Sequence, residues 1–173
     1  MTINILEKNI RSISDWPKKG INFRDITPIL EDAKLFRSLI NELAKLCKGK
    51  KIDKVVGIDA RGFILASALA YKLNSGLAIV RKKGKLPYKT ISKKYTLEYA
   101  SAILEMHKDS IKKKENILIV DDVLATGGTM SATVNIIKKL GGNIVGILFL
   151  IELEALKGRK KLRDQKIESL IKF

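Results

Sequence analysis

Four short apolar runs along the chain have the composition of buried β-strands. They are VVGI at 55–58, LAIV at 77–80, ILIV at 117–120 and IVGILFL at 144–150. Runs of this length that are apolar at nearly every position are typical of central strands covered on both faces. We therefore expect these four runs to lie in the middle of one sheet.

Helical patterns separate the apolar runs. Residues 35–46 carry an apolar stripe at helical spacing, and residues 63–73 are apolar nearly all round, which predicts a buried crossover helix. A third helix is predicted over about 129–140, because the Gly141–Gly142 pair that follows is a common stop signal. Strands that alternate with helices predict an α/β fold, with a parallel sheet flanked by helices.

The segment from Arg81 to Asp109 interrupts this alternation. It is long, polar and basic, and it has weakly alternating stretches around 88–95 and 99–106. A segment of this length inside a compact domain usually has a function, and a flexible lid is the common one. A solvent-exposed hairpin or a disordered insertion is the alternative.

Composition narrows the class of protein. The chain of 173 residues is 46% hydrophobic and 30% charged, which predicts one folded domain over 1–173. The sequence has no apolar stretch long enough to span a membrane and no secretory signal at its start. One cysteine and one histidine exclude an internal disulfide and argue against a zinc cluster. The formal charge of +16 predicts a cytoplasmic protein that handles an anion: nucleic acid, a lipid headgroup or a small phosphate.

The stretch ILIVDDVLATGGTM at 117–130 carries the most chemical information. A predicted buried strand leads to Asp121 and Asp122, and a loop of small residues then opens a helix. Ligands of parallel sheets bind beyond the carboxyl ends of the strands, where glycines and helix N–H groups can cradle a phosphate. The two carboxylates can accept hydrogen bonds from sugar hydroxyls or face a hydrated Mg²⁺. The stretch therefore predicts a sugar-phosphate site, whose loop consists of Ala125, Thr126, Gly127, Gly128 and Thr129.

Two other interpretations of this stretch are weaker. An ATPase would also place acids after a buried strand, but it requires the string G-x-x-x-x-G-K-[ST], which the sequence lacks. A plain polar turn would not require an acid pair, Thr-Gly-Gly-Thr and a helix in this order.

Three further segments carry candidate chemistry. In GIDARGF at 57–63, Arg61 can offer a bidentate fork to an anion and Gly62 allows close backbone approach. In WPKKGINFRDITPIL at 16–30, Phe23 beside Arg24 can form a stacking platform for a flat base, although Phe23 is equally compatible with a core anchor. In the 81–109 segment the lysines can balance the charge of a departing anion. The adjacent carboxyl and phenol groups of Glu98 and Tyr99 are candidates for a reaction centre. Cys47 and His107 have no partners of a suitable type and are expected to be structural.

In this order, from about residue 13 to the end, these segments resemble the type I phosphoribosyltransferases, and among them the members that act on adenine. The resemblance implies a small N-terminal hood over the base (1–32) and a flexible catalytic loop (81–109). It implies a glycosyltransferase that converts adenine and 5-phospho-α-D-ribose 1-diphosphate into AMP and diphosphate in purine salvage. Mg²⁺ is the implied cofactor, held mainly through the substrate, with the acid pair nearby.

The resemblance also implies a role for each motif. Asp121 and Asp122 would bind the ribose hydroxyls, and the loop 125–129 would wrap the 5′-phosphate. The diphosphate would face the backbone amides around a cis peptide, in the loop of Asp59, Ala60, Arg61 and Gly62. Cations of the lid would balance its charge: Arg81, Lys82 and Lys85. The segment Asn22, Phe23 and Arg24 would line the adenine site, with Phe23 stacked on the base. Glu98 would be the general acid, with Tyr99 beside it.

The base and the partners remain less constrained. Many relatives carry an aliphatic residue where Asn22 stands, so base preference depends on whether its side chain enters the site. A sister enzyme acting on guanine, hypoxanthine or xanthine would differ only in the base pocket. A nucleic-acid-binding regulator on the same fold would fit the charge but would not need Glu98, and a sugar-phosphate binder of unrelated chemistry would not need the segment 16–30. Because relatives are commonly homodimers, we expect a homodimer, with neither membrane nor nucleic acid as a partner.

Overall fold

The structure, a computed structural model, describes residues 2–96 and 101–173 of the chain. Within these ranges the strands are β1 (Arg11–Ile13), β2 (Phe23–Asp25), β3 (Lys54–Ile58), β4 (Gly76–Lys82), β5 (Thr90–Thr96), β6 (Ser101–His107), β7 (Asn116–Leu124), β8 (Asn143–Glu152) and β9 (Ile167–Lys172). The α-helices are α1 (Thr2–Lys8), α2 (Thr27–Glu31), α3 (Ala33–Lys45), α4 (Arg61–Lys72) and α5 (Gly128–Leu140). Two short 3-10 helices lie at Glu154–Leu156 and Gly158–Leu162.

A seven-stranded sheet organises the described residues, in the order β5-β6-β4-β3-β7-β8-β9. Strands β4, β3, β7, β8 and β9 run parallel to one another, whereas β6 pairs antiparallel with β4 and β5 pairs antiparallel with β6. The four predicted runs are β4, β3, β7 and β8, which lie side by side. The predicted α/β fold with a mostly parallel sheet flanked by helices is therefore confirmed.

Alternate residues of the central strands serve two hydrophobic clusters, one on each face of the sheet. Val55 and Leu118 pack in the cluster that α3 and α4 cover, and Val56 and Ile119 pack in the cluster that α5 covers. The sequence marks two helix ends clearly. The Asp32 carboxylate accepts hydrogen bonds from the first N–H groups of α3, and Gly141 ends α5 with a φ of +85°, which favours glycine.

The expectation that residues 63–73 form a fully buried helix is wrong. Helix α4 does cross from β3 to β4, but it covers the sheet with only one side. Its outer side carries Ile64, which is 42% exposed, and Tyr71, which is 91% exposed. A helix that is apolar all round can be covered on both sides. Within this chain, the sheet and α3 cover only one side of α4.

The segment 81–109 contains an antiparallel hairpin rather than a structureless insertion. Strands β5 and β6 pair from Thr90 opposite His107 to Thr96 opposite Ser101. The hairpin joins the main sheet where Arg81 of β4 pairs with Glu105 of β6. The two stretches of weak alternation thus correspond to real strands, and movement of this hairpin as a lid stays a prediction.

Other elements have no counterpart in the sequence analysis. The sequence gives no strong signal for β9 or for the two-stranded ribbon of β1 and β2, which pair with Ile13 opposite Phe23. This ribbon lies in the region expected to form the hood. Across the described ranges, no helix has both the length and the apolar character that a membrane span requires.

Candidate active site

The acid pair lies at the carboxyl end of β7, near the centre of the sheet. Asp122 is buried, and its backbone N–H donates a hydrogen bond of 3.0 Å to Oδ1 of Asp121. Burial raises the pKa of the Asp121 carboxyl well above its usual range, and the neighbouring Asp122 raises it further. Burial also raises the pKa of Asp122, although Arg61 opposes this shift. Such a pair favours ligands that bring hydrogen-bond donors or positive charge.

Arg61 connects the acid pair to the hood. Its Nε lies 2.6 Å from Oδ2 of Asp122, and its guanidinium carbon lies 4.9 Å from the centre of the Phe23 ring. Among the described residues, Oδ2 of Asp122 receives no aligned hydrogen bond. The Arg61 fork thus forms an ion pair with this buried oxygen, so the guanidinium lies between the acid pair and Phe23.

The loop 125–129 has the geometry of an anion cradle. Gly127 adopts a φ of +75°, and α5 starts at Gly128 without a side-chain cap on its first turn. A cavity of about 160 Å³ is lined by this loop and by Asp121, Val123, Leu124, Met130 and Phe149. Uncapped N–H groups at the start of a helix, next to a small cavity, suit a phosphate.

The second predicted loop, 59–62, lies beside the acid pair. Strands β3 and β7 are parallel neighbours, so the loops that follow them emerge at the same edge. The peptide between Asp59 and Ala60 is cis, as the resemblance implies, and α4 also begins without a side-chain cap. A Cβ at Gly62 would lie 2.6 Å from Oδ1 of Asp121, so only glycine fits here.

Arg81 ties the start of the lid segment to the loop 59–62. Its Nε lies 3.2 Å from Oδ2 of Asp59, and its Nη1 donates to the Lys85 carbonyl at 3.1 Å. Lys82 and Lys85 are exposed. The two catalytic candidates, Glu98 and Tyr99, lie outside the described residues.

The base-site candidates are placed differently from one another. Phe23 is half-buried, with its ring centre 4.5 Å from that of Trp16 in an edge-on arrangement and its other contact to Arg61. Asn22 is exposed. The Arg24 guanidinium is hydrogen-bonded to Ser12 and lies 3.8 Å over the Phe173 ring, so its side chain anchors the hood to the C-terminus.

The two residues expected to be structural differ in environment. Cys47 is buried, its Sγ donates to the Leu43 carbonyl, and burial raises the pKa of its thiol to about 11. Such a thiol is protonated at neutral pH and unreactive. His107 stacks edge-on with Tyr88 at 5.9 Å between ring centres, at the base of the hairpin.

Sequence reasoning missed an ion pair near the loop 125–129, of which the carboxylate is buried. Glu152 at the end of β8 is buried and pairs with Arg159, and both side chains are more than twenty residues beyond the 117–130 motif. An acid at the carboxyl end of a predicted buried strand was the available signal. Its partner lay within a run of basic residues that resembles an ordinary solvated surface.

Comparison with known proteins agrees with this geometry. Residues 26–172 match the model of the phosphoribosyl transferase domain. The chain belongs to the phosphoribosyl transferase family. The resemblance seen in the sequence is thereby confirmed.

Full-length members of this family that resemble the chain are adenine phosphoribosyltransferases. That of Geobacter metallireducens is 58% identical over 168 residues, which cover 97% of this chain and 98% of the relative. The crystal structure of the enzyme from Thermoanaerobacter pseudethanolicus has a TM-score of 0.97 and 49% identity, with 99% of each chain covered. The Saccharomyces cerevisiae enzyme, in complex with D-2,5-dideoxy-2,5-imino-altritol 1,6-bisphosphate and adenine, has a TM-score of 0.93 and 35% identity, with 98% of each chain covered.

Proposed function

We propose that the protein transfers the phosphoribosyl group of 5-phospho-α-D-ribose 1-diphosphate to adenine, giving AMP and diphosphate. This is a step of purine salvage and AMP biosynthesis. The observation that carries the proposal is the junction of the Asp121–Asp122 pair, of which Asp122 is buried, with the uncapped loop 125–129 at one edge of the sheet. Full-length identity to adenine phosphoribosyltransferases supports the choice of adenine.

The phosphoribosyl group fits between the two ends of this junction. Asp121 and Asp122 accept hydrogen bonds from the ribose hydroxyls, and Asp121 lines the cavity beside the loop 125–129. The N–H groups of 125–129, with the Thr126 and Thr129 hydroxyls, hold the 5′-phosphate. The diphosphate lies over the first turn of α4, where backbone amides of 59–62 and the charges of Arg81, Lys82 and Lys85 balance it.

Adenine is proposed to stack on Phe23. The half-buried ring of Phe23 adjoins Arg61, which in turn contacts Asp122, so the base site and the ribose site are contiguous. Asn22 and Arg24 flank Phe23, and their backbone groups can read the edge of the base, while the Arg24 side chain holds Phe173. In the yeast relative, adenine is bound together with a sugar bisphosphate analogue.

The chemistry is a glycosyl transfer. As the C1–O bond to diphosphate breaks, positive charge develops on the ribose, next to the carboxylates of the acid pair. Positive groups at the loop 59–62 and on the lid stabilise the departing diphosphate. Glu98 donates a proton to one ring nitrogen of adenine as another attacks C1, a contribution of about 10² to 10⁴ in rate. The attacking nitrogen loses its own N–H proton to the departing diphosphate, and the added proton returns to the Glu98 carboxylate once the N–C1 bond has formed. A closed lid with Tyr99 near the reaction centre would exclude water, which otherwise hydrolyses the cationic sugar.

The acid pair also fits Mg²⁺ held mainly through the substrate. The described residues contain no group of three or more histidine, cysteine or carboxylate side chains arranged around one ion. Mg²⁺ usually retains several waters and binds through one or two carboxylates plus substrate phosphates. When bound, the ion would offset negative charge on the diphosphate.

A homodimer is proposed on the outer side of α4. Two observations support this choice. Ile64 and Tyr71 are exposed, and α3 and α4 form a neighbouring groove of about 770 Å³ that is lined partly by Phe36, Ile40 and Ala68. Exposed apolar patches of this kind commonly mark subunit interfaces. A cytoplasmic location is proposed as well, in keeping with one buried unpaired cysteine.

Product formation tests the reaction and the base together. Purified protein is incubated with 5-phospho-α-D-ribose 1-diphosphate, Mg²⁺ and, separately, adenine, hypoxanthine, guanine and xanthine. AMP from adenine, at a kcat/KM at least about a hundredfold above that for the other bases, is the expected result. Turnover of another purine instead of adenine would assign the protein to a sister activity, and no turnover with any base would contradict a transferase.

A further inference from the structure

The end of β8 carries an ion pair, between the buried Glu152 and the more exposed Arg159, that the proposed reaction does not use directly. Arg159 donates two hydrogen bonds to the Glu152 carboxylate, from Nε to Oε1 and from Nη2 to Oε2, both of 2.7 Å. The Ser169 hydroxyl donates a further bond of 2.8 Å to Oε2 of Glu152. Nη1 of Arg159 donates to the Ile167 carbonyl at 3.1 Å. The pair therefore joins the 3-10 helix Gly158–Leu162 to strands β8 and β9.

This 3-10 helix is packed against the phosphate loop through backbone atoms. A Cβ at Gly127 would lie 2.5 Å from the Gly158 carbonyl oxygen. A Cβ at Gly158 would overlap the Ala125 carbonyl oxygen. Leu162, which is 3% exposed, shares a hydrophobic cluster with Leu124 and Met130, which flank the loop 125–129. The loop thus rests directly on Gly158, without side chains between them.

The position of Gly158 depends on its neighbour Arg159. Lys157, on the other side, adopts a left-handed φ of +52°, which is uncommon for lysine. The Glu152 side chain is only 6% exposed, so its charge requires a bonded partner. The hydrogen bonds from Arg159 hold the pKa of Glu152 below its usual range, so the pair is ionised at neutral pH.

We propose that the Glu152–Arg159 pair is a positioning device for the 5′-phosphate, which acts by holding Gly158 against the loop 125–129. The inference rests on the proposed function, because it assumes that this loop binds the phosphate. Arg159 itself is not placed on the ligand. Its fork fixes the support under the loop, so that the N–H groups remain directed at one position, and preorganised donors of this kind bind an anion more tightly than mobile ones.

The binding of AMP compared with that of adenosine measures this effect selectively. Arg159→Lys keeps the positive charge but loses the fork and the bond to Ile167. We expect the dissociation constant of AMP, measured by calorimetry, to rise about tenfold, whereas that of adenosine stays within about twofold. In steady-state kinetics the KM for 5-phospho-α-D-ribose 1-diphosphate should rise by a similar factor, with little change in the KM for adenine.

The matched control is Glu154→Gln. Glu154 pairs with Lys172 at 2.9 Å in the same segment, but both side chains are more than half exposed, and the pair does not contact the phosphate loop. This variant should retain the wild-type preference for AMP over adenosine. An equal loss of AMP and adenosine affinity in Arg159→Lys, or no loss of either, would overturn the proposal.

Two further outcomes are separable. If Arg159→Lys does not fold, Ser169→Ala is the substitute, because it removes only the hydroxyl bond to Glu152. A two- to threefold loss of affinity, confined to AMP, is then expected. An unchanged ratio of AMP to adenosine affinity would again overturn the proposal. Wild-type protein that binds adenosine as tightly as AMP would contradict the proposed function itself, and the inference with it.

Discussion

At the scale of single residues, the site combines buried carboxylates with backbone that only glycine allows. Asp121 and Asp122 follow four fully buried residues of β7, 117–120, so the fold places two carboxyl groups directly beyond the core. Gly62 lies against Asp121 with no room for a Cβ. The site is therefore less favourable for stability than an apolar version of the same strand end would be, which is common at functional sites.

The Asp121→Asn substitution should separate stability from function. Burial raises the folded-state pKa of Asp121, so the unfolded chain, with an ordinary value near 3.8, loses its proton first as pH rises. Stability of the wild type therefore falls between that pH and the higher folded pKa. We expect Asp121→Asn to raise the free energy of unfolding at pH 7, because the variant has no carboxyl group to ionise there, and to lower turnover strongly.

Urea unfolding at pH 4 and at pH 7 provides the measurement. The difference between the variant and the wild type should be larger at pH 7 than at pH 4. A variant that is less stable than the wild type at pH 7 would show that the carboxylate, and not its burial, supports the fold.

The Gly62→Ala substitution should impair the site sterically. The new Cβ would lie 2.6 Å from Oδ1 of Asp121 and 3.2 Å from the Val120 carbonyl oxygen, so the loop 59–62 must shift. We expect kcat/KM for 5-phospho-α-D-ribose 1-diphosphate to fall at least about a hundredfold, as misplacement by about 1 Å can produce. Gly146→Ala is the control, because its Cβ would meet only side-chain atoms at ordinary contact distances, Leu118 at 3.4 Å and Lys50 at 3.7 Å. Similar kinetics for the two variants would refute the steric argument.

At the scale of elements, two loops and one hairpin converge on the carboxyl edge of neighbouring strands. Arg81, in β4, joins the hairpin segment to the loop 59–62 through Asp59 and the Lys85 carbonyl. The Asp59 side chain is 9% exposed, so it depends on this partner. Arg81 therefore links the start of the segment 81–109 to the loop 59–62.

The Arg81→Met substitution tests this coupling. Loss of the guanidinium leaves the Asp59 carboxylate without its ion pair and frees the backbone at Lys85. We expect the KM for 5-phospho-α-D-ribose 1-diphosphate to rise about tenfold, in line with the loss of a charge-assisted hydrogen bond. Lys108→Met removes one exposed charge at the end of the same hairpin and should leave the KM within about twofold. Equal effects of the two variants would indicate general electrostatic attraction instead of a specific contact.

The elements that the sequence predicts well are those with a strong local pattern. Strands β3, β4, β7 and β8 are short apolar runs, and α5 has both a helical stripe and a glycine stop, so pattern alone locates them. Strand β9 reads IESLIK, whose single fully buried residue is too weak a signal. The ribbon of β1 and β2 has three residues in each strand and depends on contacts with the rest of the chain.

The residues of the candidate site also differ in how well the sequence predicts them. Asp121, Asp122 and the loop 125–129 are contiguous in sequence, so their order alone reveals them. The support under that loop is not contiguous: Glu152 and Arg159 become partners only because a 3-10 helix turns the chain back along β8. Likewise, no local pattern reveals that the Arg61 fork meets Asp122 or that Arg24 stacks on Phe173.

At the scale of the whole molecule, one outer surface of α4 remains uncovered. The sequence predicts a helix buried all round, and the structure covers only the side that faces the sheet. The two descriptions agree if a second copy of the chain covers the other side, which is the proposed homodimer.

The Ile64→Glu/Tyr71→Glu double substitution tests that interface. Light scattering of the wild type should give twice the 19.3 kDa of one chain, and the double variant should give a mass near one chain. Two buried carboxylates in an apolar interface cost several kcal/mol, which is enough to dissociate many dimers. Ile5→Glu, at a residue of α1 that is 47% exposed, should remain dimeric. A dimeric double variant would place the interface elsewhere.

A crystal structure of the protein with AMP is the sharpest test of whether the acid pair and the loop 125–129 bind the ribose and its phosphate. We expect the phosphate to bind the N–H groups of 125–129 and adenine to lie against Phe23. The ribose hydroxyls should lie within about 3.2 Å of the Asp121 and Asp122 carboxylates, in ordinary hydrogen-bond geometry. AMP bound at another surface, or held in the reverse orientation with its phosphate near Phe23, would contradict it.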